Sequence, residues 1–288
     1  MNAFHNLISL ARHHRKQLVG TFLLVLAENL LLLLYPMFGA FAVNGVLAGN
    51  LSQALVYAAV VLFMWSVGSA RRAVDTRTFS HIYAQMVVPV IMKQRQQGES
   101  TSTVSARVAL STELVDFFEM HLPTLITSCF SIVGAVVMLI GLEFWAGMTA
   151  LVIMLLFAAF IRRYATANDH LYFRLNNRLE NGGKVIQSAL PHGLQRHYRL
   201  ISRLRVHISD REAISYLLIG IAMAVLFGVS LSILTLKQGV TAGHIYAVVS
   251  YLWSFAFSLD DIPHLTERFS LIKDIGNRVT VEGAHQPT

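Results

Sequence analysis

Six apolar stretches constrain this chain more than any other feature of its sequence. A helix needs about 20 apolar residues, at about 1.5 Å per residue, to cross roughly 30 Å of hydrocarbon. Runs of this kind fall at Leu18–Leu47, Leu55–Ala70, Leu122–Leu142, Phe144–Ile161, Ile214–Leu236 and Ile245–Leu259. The second, fourth and sixth are short, but their helical pattern continues beyond the apolar part. Composition agrees with this reading: 55% of the residues are hydrophobic, 14% are charged, and mean hydropathy is +0.54. Soluble domains carry roughly 25% charged residues. The pattern predicts an all-α, polytopic membrane protein of six transmembrane helices. The first run is too long for a cleaved leader, and Glu28-Asn29 interrupts it, so no cleavage is expected at Ala40-Phe41-Ala42.

The net charge of +7 raises the question of nucleic acid or an anionic membrane surface, and the positions of the charges answer it. With the N-terminus inside, the inner segments are Met1–Gln17, Arg71–His121, Arg162–Ala213 and Thr266–Thr288. They hold every Lys and Arg except Lys237, one of 23. The basic balance is therefore a topology signal of the positive-inside kind, with both termini cytosolic, and needs no nucleic acid. The outer connections, Ala48–Ala54, Glu143 and Lys237–His244, are tiny. The inner ones are long and carry helical periodicity, as at Tyr164, Leu171, Leu175 and Leu179. The membrane helices are thus expected to run on into the cytosol as amphipathic rods, each inner connection descending, turning through a short transverse helix and returning. Pro191-His192-Gly193 is expected to break the second excursion, and Ser209-Asp210-Arg211-Glu212 to cap a restarted helix. Pro89 and Gly98 are expected to flank the short helix of the first.

Order and spacing of several motifs then give a resemblance. Tyr35-Pro36-Met37-Phe38-Gly39 sits late in the first span. Val104-Ser105-Ala106-Arg107 leads to Glu113-Leu114-Val115-Asp116-Phe117-Phe118 and Leu122-Pro123. Gly239-Val240-Thr241-Ala242-Gly243-His244-Ile245-Tyr246-Ala247 links the last two spans, and Ile262-Pro263 precedes a closing stretch Leu271–Arg278. From about Lys16 to Val279 the chain resembles the six-helix transmembrane domain of ABC exporters. The resemblance implies a homodimer around a central cavity, alternating access, and transport of a small molecule or peptide. It divides the chain into an N-terminal interfacial helix (1–15, with an apolar stripe at Phe4, Leu7, Ile8 and Ala11), the membrane domain (16–279) and a tail (280–288). A bacterial cytoplasmic (inner) membrane location is expected.

No G-x-x-x-x-G-K-[S/T] occurs before the sequence stops at Thr288, and Gly182-Gly183-Lys184 is followed by Val185. The expected ATPase therefore lies on a separate chain. The alternatives are a proton-driven, peptide-type transporter of the same fold, or a non-transporting membrane assembly or regulatory subunit. No catalytic motif, cofactor site or metal site is legible, and the single Cys129 excludes an intrachain disulfide. Glu28, counted from Leu18, falls near the midplane. A carboxylate there is costly, which makes it a candidate proton carrier or a contact for a cationic substrate, against a structural hydrogen bond to Asn29 or a neighbouring helix. Glu119, Asp260 and Asp261 are candidates for the inner mouth of a cavity, or a solvated face. Arg196, Arg199, Arg203 and Arg205 form a candidate ATPase-docking surface, or a basic face beside anionic lipid. Ile262, Leu265, Phe269, Ile272, Ile275 and Val279 recur at a spacing near 3.5, which suits a helix–helix seam.

Overall fold

The computed structural model describes residues 15–96, 98, 108, 112, 115–180, 185 and 190–284, with side chains of the last helix described as far as Leu265. Among the described residues six long helices span the expected runs. They are α1 (Arg15–Leu47), α2 (Leu51–Gln96), α3 (Leu122–Leu142), α4 (Phe144–Glu180), α5 (Pro191–Leu236) and α6 (Ala242–Ala284). Each contains a stretch long and apolar enough to cross a membrane. A π-turn, Phe117–His121, runs directly into α3, whose first turn carries Pro123, where a missing N–H is harmless.

Helix lengths exceed what a bilayer requires. Both α2 and α5 have 46 residues, about 69 Å of helix against about 30 Å of hydrocarbon. The surplus forms rods, all at the end opposite the short turns. This bears out the long helical extensions, with two corrections. Pro89 lies inside α2 and flanks no separate helix. It removes one N–H, while buried Phe79, Ile82 and Val87 anchor the rod in the turns that precede it. Likewise Ser209–Glu212 restart nothing, because α5 is continuous from Pro191. The buried stripe Ile201, Leu204, Ile208, Ser215 and Ile219 keeps helical spacing straight through that segment, so the helix has no reason to break there. Pro191 itself does occupy the first turn, after Leu190 in an extended conformation. The expected transverse helices fall mostly outside the described residues, as do the N-terminal stripe and Val104–Arg107. The Phe269–Val279 part of the expected seam lies on side chains that are not described, though α6 itself runs past 279 to Ala284.

Within the bundle α1 packs on α2, α4 on α5, and α6 runs against α1, α3, α4 and α5. The main core joins α3 to α6 through Ile132, Leu139, Ile153, Leu226, Leu252 and Phe255. Around it Leu23, Leu62, Trp65, Leu155, Leu217 and Phe257 are exposed, the surface that lipid would cover. Lipid is as apolar as leucine, so helix association in a bilayer relies on close packing and interhelical hydrogen bonds. Two contacts between α1 and α6 show both. Pro36 withdraws an N–H from α1, and one residue beyond the carbonyl this frees, the Tyr251 hydroxyl donates to the Leu33 carbonyl at 2.7 Å. At the short-turn end the Gly243 N–H donates to Asn44 Oδ1 at 2.9 Å. A Cβ on Gly243 would lie 2.2 Å from the Ala40 carbonyl oxygen, so α6 approaches α1 only because this residue has no side chain.

Gly243→Val should therefore force α1 and α6 apart. The expected cost is about 1–3 kcal/mol, the usual penalty of overpacking, read as a lower melting temperature in detergent. A variant that melts with the wild type would show that the close approach is dispensable.

Candidate functional site

Polar side chains gather in three places: the margin between apolar spans and rods, the short-turn end, and the rods themselves.

At the margin Glu28 pairs with Arg71 Nε across α1 and α2, and Arg71 Nη1 reaches Asp75 Oδ2 at 3.1 Å one turn further on. Gly68, one turn before Arg71, makes room: a Cβ there would stand 2.9 Å from Glu28 Oε1. Counting from the short turn between α1 and α2 revises the depth of this acid. Glu28 is 19 residues back from Leu47, and Arg71 is 20 residues on from Leu51, so both lie about 30 Å from that end. Glu28 thus sits near the far edge of the hydrocarbon and not at the midplane expected from Leu18. The sequence count began where the apolar run begins, but the helix is longer than the bilayer and the short turn sets the register. Asn29 turns elsewhere: it is buried, and its side-chain amide donates to the Val25 carbonyl of its own helix at 2.9 Å. The structural hydrogen bond weighed between Glu28 and Asn29 is not made.

The remaining carboxylates lie on the same level of the bundle. Glu119, in the π-turn, accepts from the Thr76 hydroxyl at 3.1 Å, and Asp261 accepts from Ser128 at 3.1 Å, tying α3 to α6. Asp260 faces a cavity of about 430 Å³ between α4, α5 and α6, together with Tyr164, Glu212, Ser215 and Tyr216. Ser215 is 2% exposed and its hydroxyl has no partner among the described residues. Two carboxylates beside two tyrosines suit an ammonium group, although Arg211 already stacks over Tyr164 at 5.5 Å. Of the five acid-and-amide candidates the fold therefore brings Glu28 from α1, Glu119 from the π-turn and Asp260 and Asp261 from α6 to one level, and separates Asn29 from them by direction.

The four candidate arginines of α5 divide. All are exposed. Arg196, Arg199 and Arg203 are spaced three and four apart and share a face, whereas Arg205 follows Arg203 by two residues and projects from nearly the opposite side. Arg203 lines a cavity between α4 and α5.

Sequence reasoning missed Arg71 and Asp75, although their spacing of four at the end of an apolar run was a signal for a helical ion pair. It also missed the short-turn end. Glu143 is the single residue between α3 and α4, 6% exposed and extended in conformation. Its Oε1 accepts from Lys237 Nζ at 2.7 Å and lies 2.7 Å from His244 Nε2. The signal was charge complementarity: within the three expected outer connections Glu143 is the one acid and Lys237 the one Lys or Arg. Burial pushes the Glu143 carboxyl up, but the hydrogen bonds and charges of Lys237 and His244 outweigh it and hold the group below the ordinary carboxylate range.

A carboxyl depressed by folding contributes stability that is complete above the unfolded value, about 4.3, and is lost as pH falls through the folded value. Glu143→Gln should lower the melting temperature at pH 7 by an amount equivalent to about 1–3 kcal/mol. It should also flatten the acid limb of the melting profile below about pH 4. An unchanged acid limb would show that the pairing carries no stability.

The comparisons with known proteins agree with this geometry. No curated protein matches the chain. Residues 7–243, most of the sequence, match the family described as the ABC transporter transmembrane region. Five of the six apolar crossings, with tight turns at one end and helical rods at the other, fall within the matched residues, and the sixth follows directly after them. This chain belongs to the ABC transporter transmembrane region family.

Proposed function

We propose that this chain is the membrane half of an ABC exporter-like transporter for a small molecule or peptide, assembled as a homodimer and energised by an ATPase on a separate chain. The rods face the cytosol, as the one-sided Lys/Arg distribution favours, and the short turns face outward. A bacterial cytoplasmic membrane suits this arrangement. The chain has no catalysis of its own in this reading; it supplies the path.

The observation that supports the reading best is the length of the rods. About 40 Å of α2 and of α5 extends beyond the hydrocarbon, far more than is needed to connect membrane helices. Rigid rods of that reach give an ATPase leverage on the spans. Their exposed Arg196 and Arg199 offer charge for docking. The cavity at Asp260, Glu212 and Ser215 lies where rod meets span and is the candidate port for cargo.

A gradient-driven transporter is the second reading, and the margin cluster favours it. Two carboxylates, Glu28 and Asp75, share one guanidinium, and the buried Asp75 has only the Thr21 hydroxyl besides it among the described residues. Asp75 thereby replaces Glu28 as the better candidate proton carrier.

Proteoliposomes distinguish the two. In the first reading the purified protein alone hydrolyses no ATP, stimulates the turnover of its added ATPase, and loses that stimulation when Arg196 and Arg199 are both changed to Glu. Stimulation indifferent to the reversal would contradict docking at these residues. Cargo flux driven by a pH gradient without ATP, and lost in Asp75→Asn, would replace the first reading with the second.

A further inference from the structure

The rods of α4 and α5 line a second cavity, of about 470 Å³ and open on one side to solvent, that the transport reading leaves without a role. Three guanidiniums line it, Arg174 and Arg178 from α4 and Arg203 from α5, together with the imidazoles of His197 and His207. No carboxylate lines it among the described residues, and none of the three arginines forms an ion pair with a described acid. Helix spacing explains the convergence. Arg174 and Arg178 are four apart on one rod, as are Arg203 and His207 on the facing one, so each rod presents two basic groups to the gap. Leu175, Ile201, Leu204 and Ile208 pack the rods together beside it and hold those groups at a fixed separation. His197 is 6% exposed, with its ring edge-on to Tyr198 at 5.5 Å, so one basic wall is built into the packing.

Like charges held together around a cavity repel one another, and an anion relieves this. Guanidinium forks match phosphate oxygens in pairs, and imidazoles add donors. Leu171, Leu200 and Leu204 supply apolar wall, and the volume falls in the range of small-molecule sites.

Depth decides between a lipid headgroup and a soluble anion, the two sources of this chemistry. Counted from the short-turn ends of α4 and α5, Arg174 is 30 residues away, Arg203 33 and His197 39, or about 45–58 Å. Hydrocarbon and the far headgroup layer together end at roughly 35–38 Å. The cavity therefore lies beyond the lipid. We propose that it is a binding site for a water-borne, phosphate-bearing anion, held by Arg174, Arg178 and Arg203 with His197 and His207. The site is independent of the energy source, since it engages neither Arg196 and Arg199 nor the margin cluster.

Calorimetric titration of the full chain in phosphatidylcholine nanodiscs with inorganic pyrophosphate tests it. The expected result is saturable binding, one site per chain, weakened on the order of tenfold by Arg178→Gln and by Arg203→Gln. Arg205→Gln, on the opposite side of α5, should leave it unchanged, and His207→Gln provides a further variant should an arginine change disturb folding. Absence of saturable binding would overturn the proposal. So would an equal loss in Arg205→Gln, the mark of a diffuse basic surface. Binding seen only as retention of anionic lipid would overturn it too, assigning the charge to headgroups.

Discussion

Hydrocarbon offers no hydrogen-bond partner to a peptide group, and the rest of this molecule follows from that denial. A chain with six apolar stretches must close its backbone bonds within each stretch, and the helix is the one local way to do so. The short turns at one end then fix where every helix enters the bilayer. Because α2, α4 and α5 are longer than the bilayer is thick, all of their surplus emerges at the other end. Rods, polar margin and rod cavity are consequences of that single register.

Charge marks both edges of the slab. Glu143, Lys237 and His244 close the short-turn end, where the Glu143 carboxylate joins the α3–α4 turn to the segment between α5 and α6. Glu28, Arg71 and Asp75 mark the other, joined by Thr76–Glu119 and Ser128–Asp261 at the same level. Between the two edges the helices meet chiefly through apolar and aromatic packing, as in the core around Leu139, Leu252 and Phe255. The middle of the bundle is thus held by fit and its ends by polar contacts, a division that leaves the ends open to change with ligand or pH.

The membrane-crossing elements were legible because bilayer thickness imposes a length on an apolar run, and the rods because their apolar periodicity outlasts the spans. Breaks inside the rods were not. Pro89 and the Ser209–Glu212 box carry the local chemistry of helix ends, yet α2 runs on past Pro89 to Gln96, and in α5 Ile208, Ser215 and Ile219 bury a continuous stripe that overrides the box. Glu28 was found as a candidate by its cost, but its depth required knowing the turn between Leu47 and Leu51, and its partner Arg71 lies 43 residues away. The arginines of α5 looked like one surface in sequence. Helical rotation divides them, and the cavity that takes Arg203 is completed by α4, which no local pattern in α5 reveals.

Cysteine accessibility along α5 tests the register most directly. In a Cys129→Ser background, single cysteines at Arg199, Ser209, Leu217 and Val225, all exposed in the chain, would be probed with a membrane-impermeant maleimide in nanodiscs, where both faces are open. The account predicts rapid labelling at Arg199 and Ser209 and protection at Leu217 and Val225, with the change falling between Ser209 and Leu217. Protection extending to Arg199, or rapid labelling at Val225, would contradict the placement of rod and span on which the whole account rests.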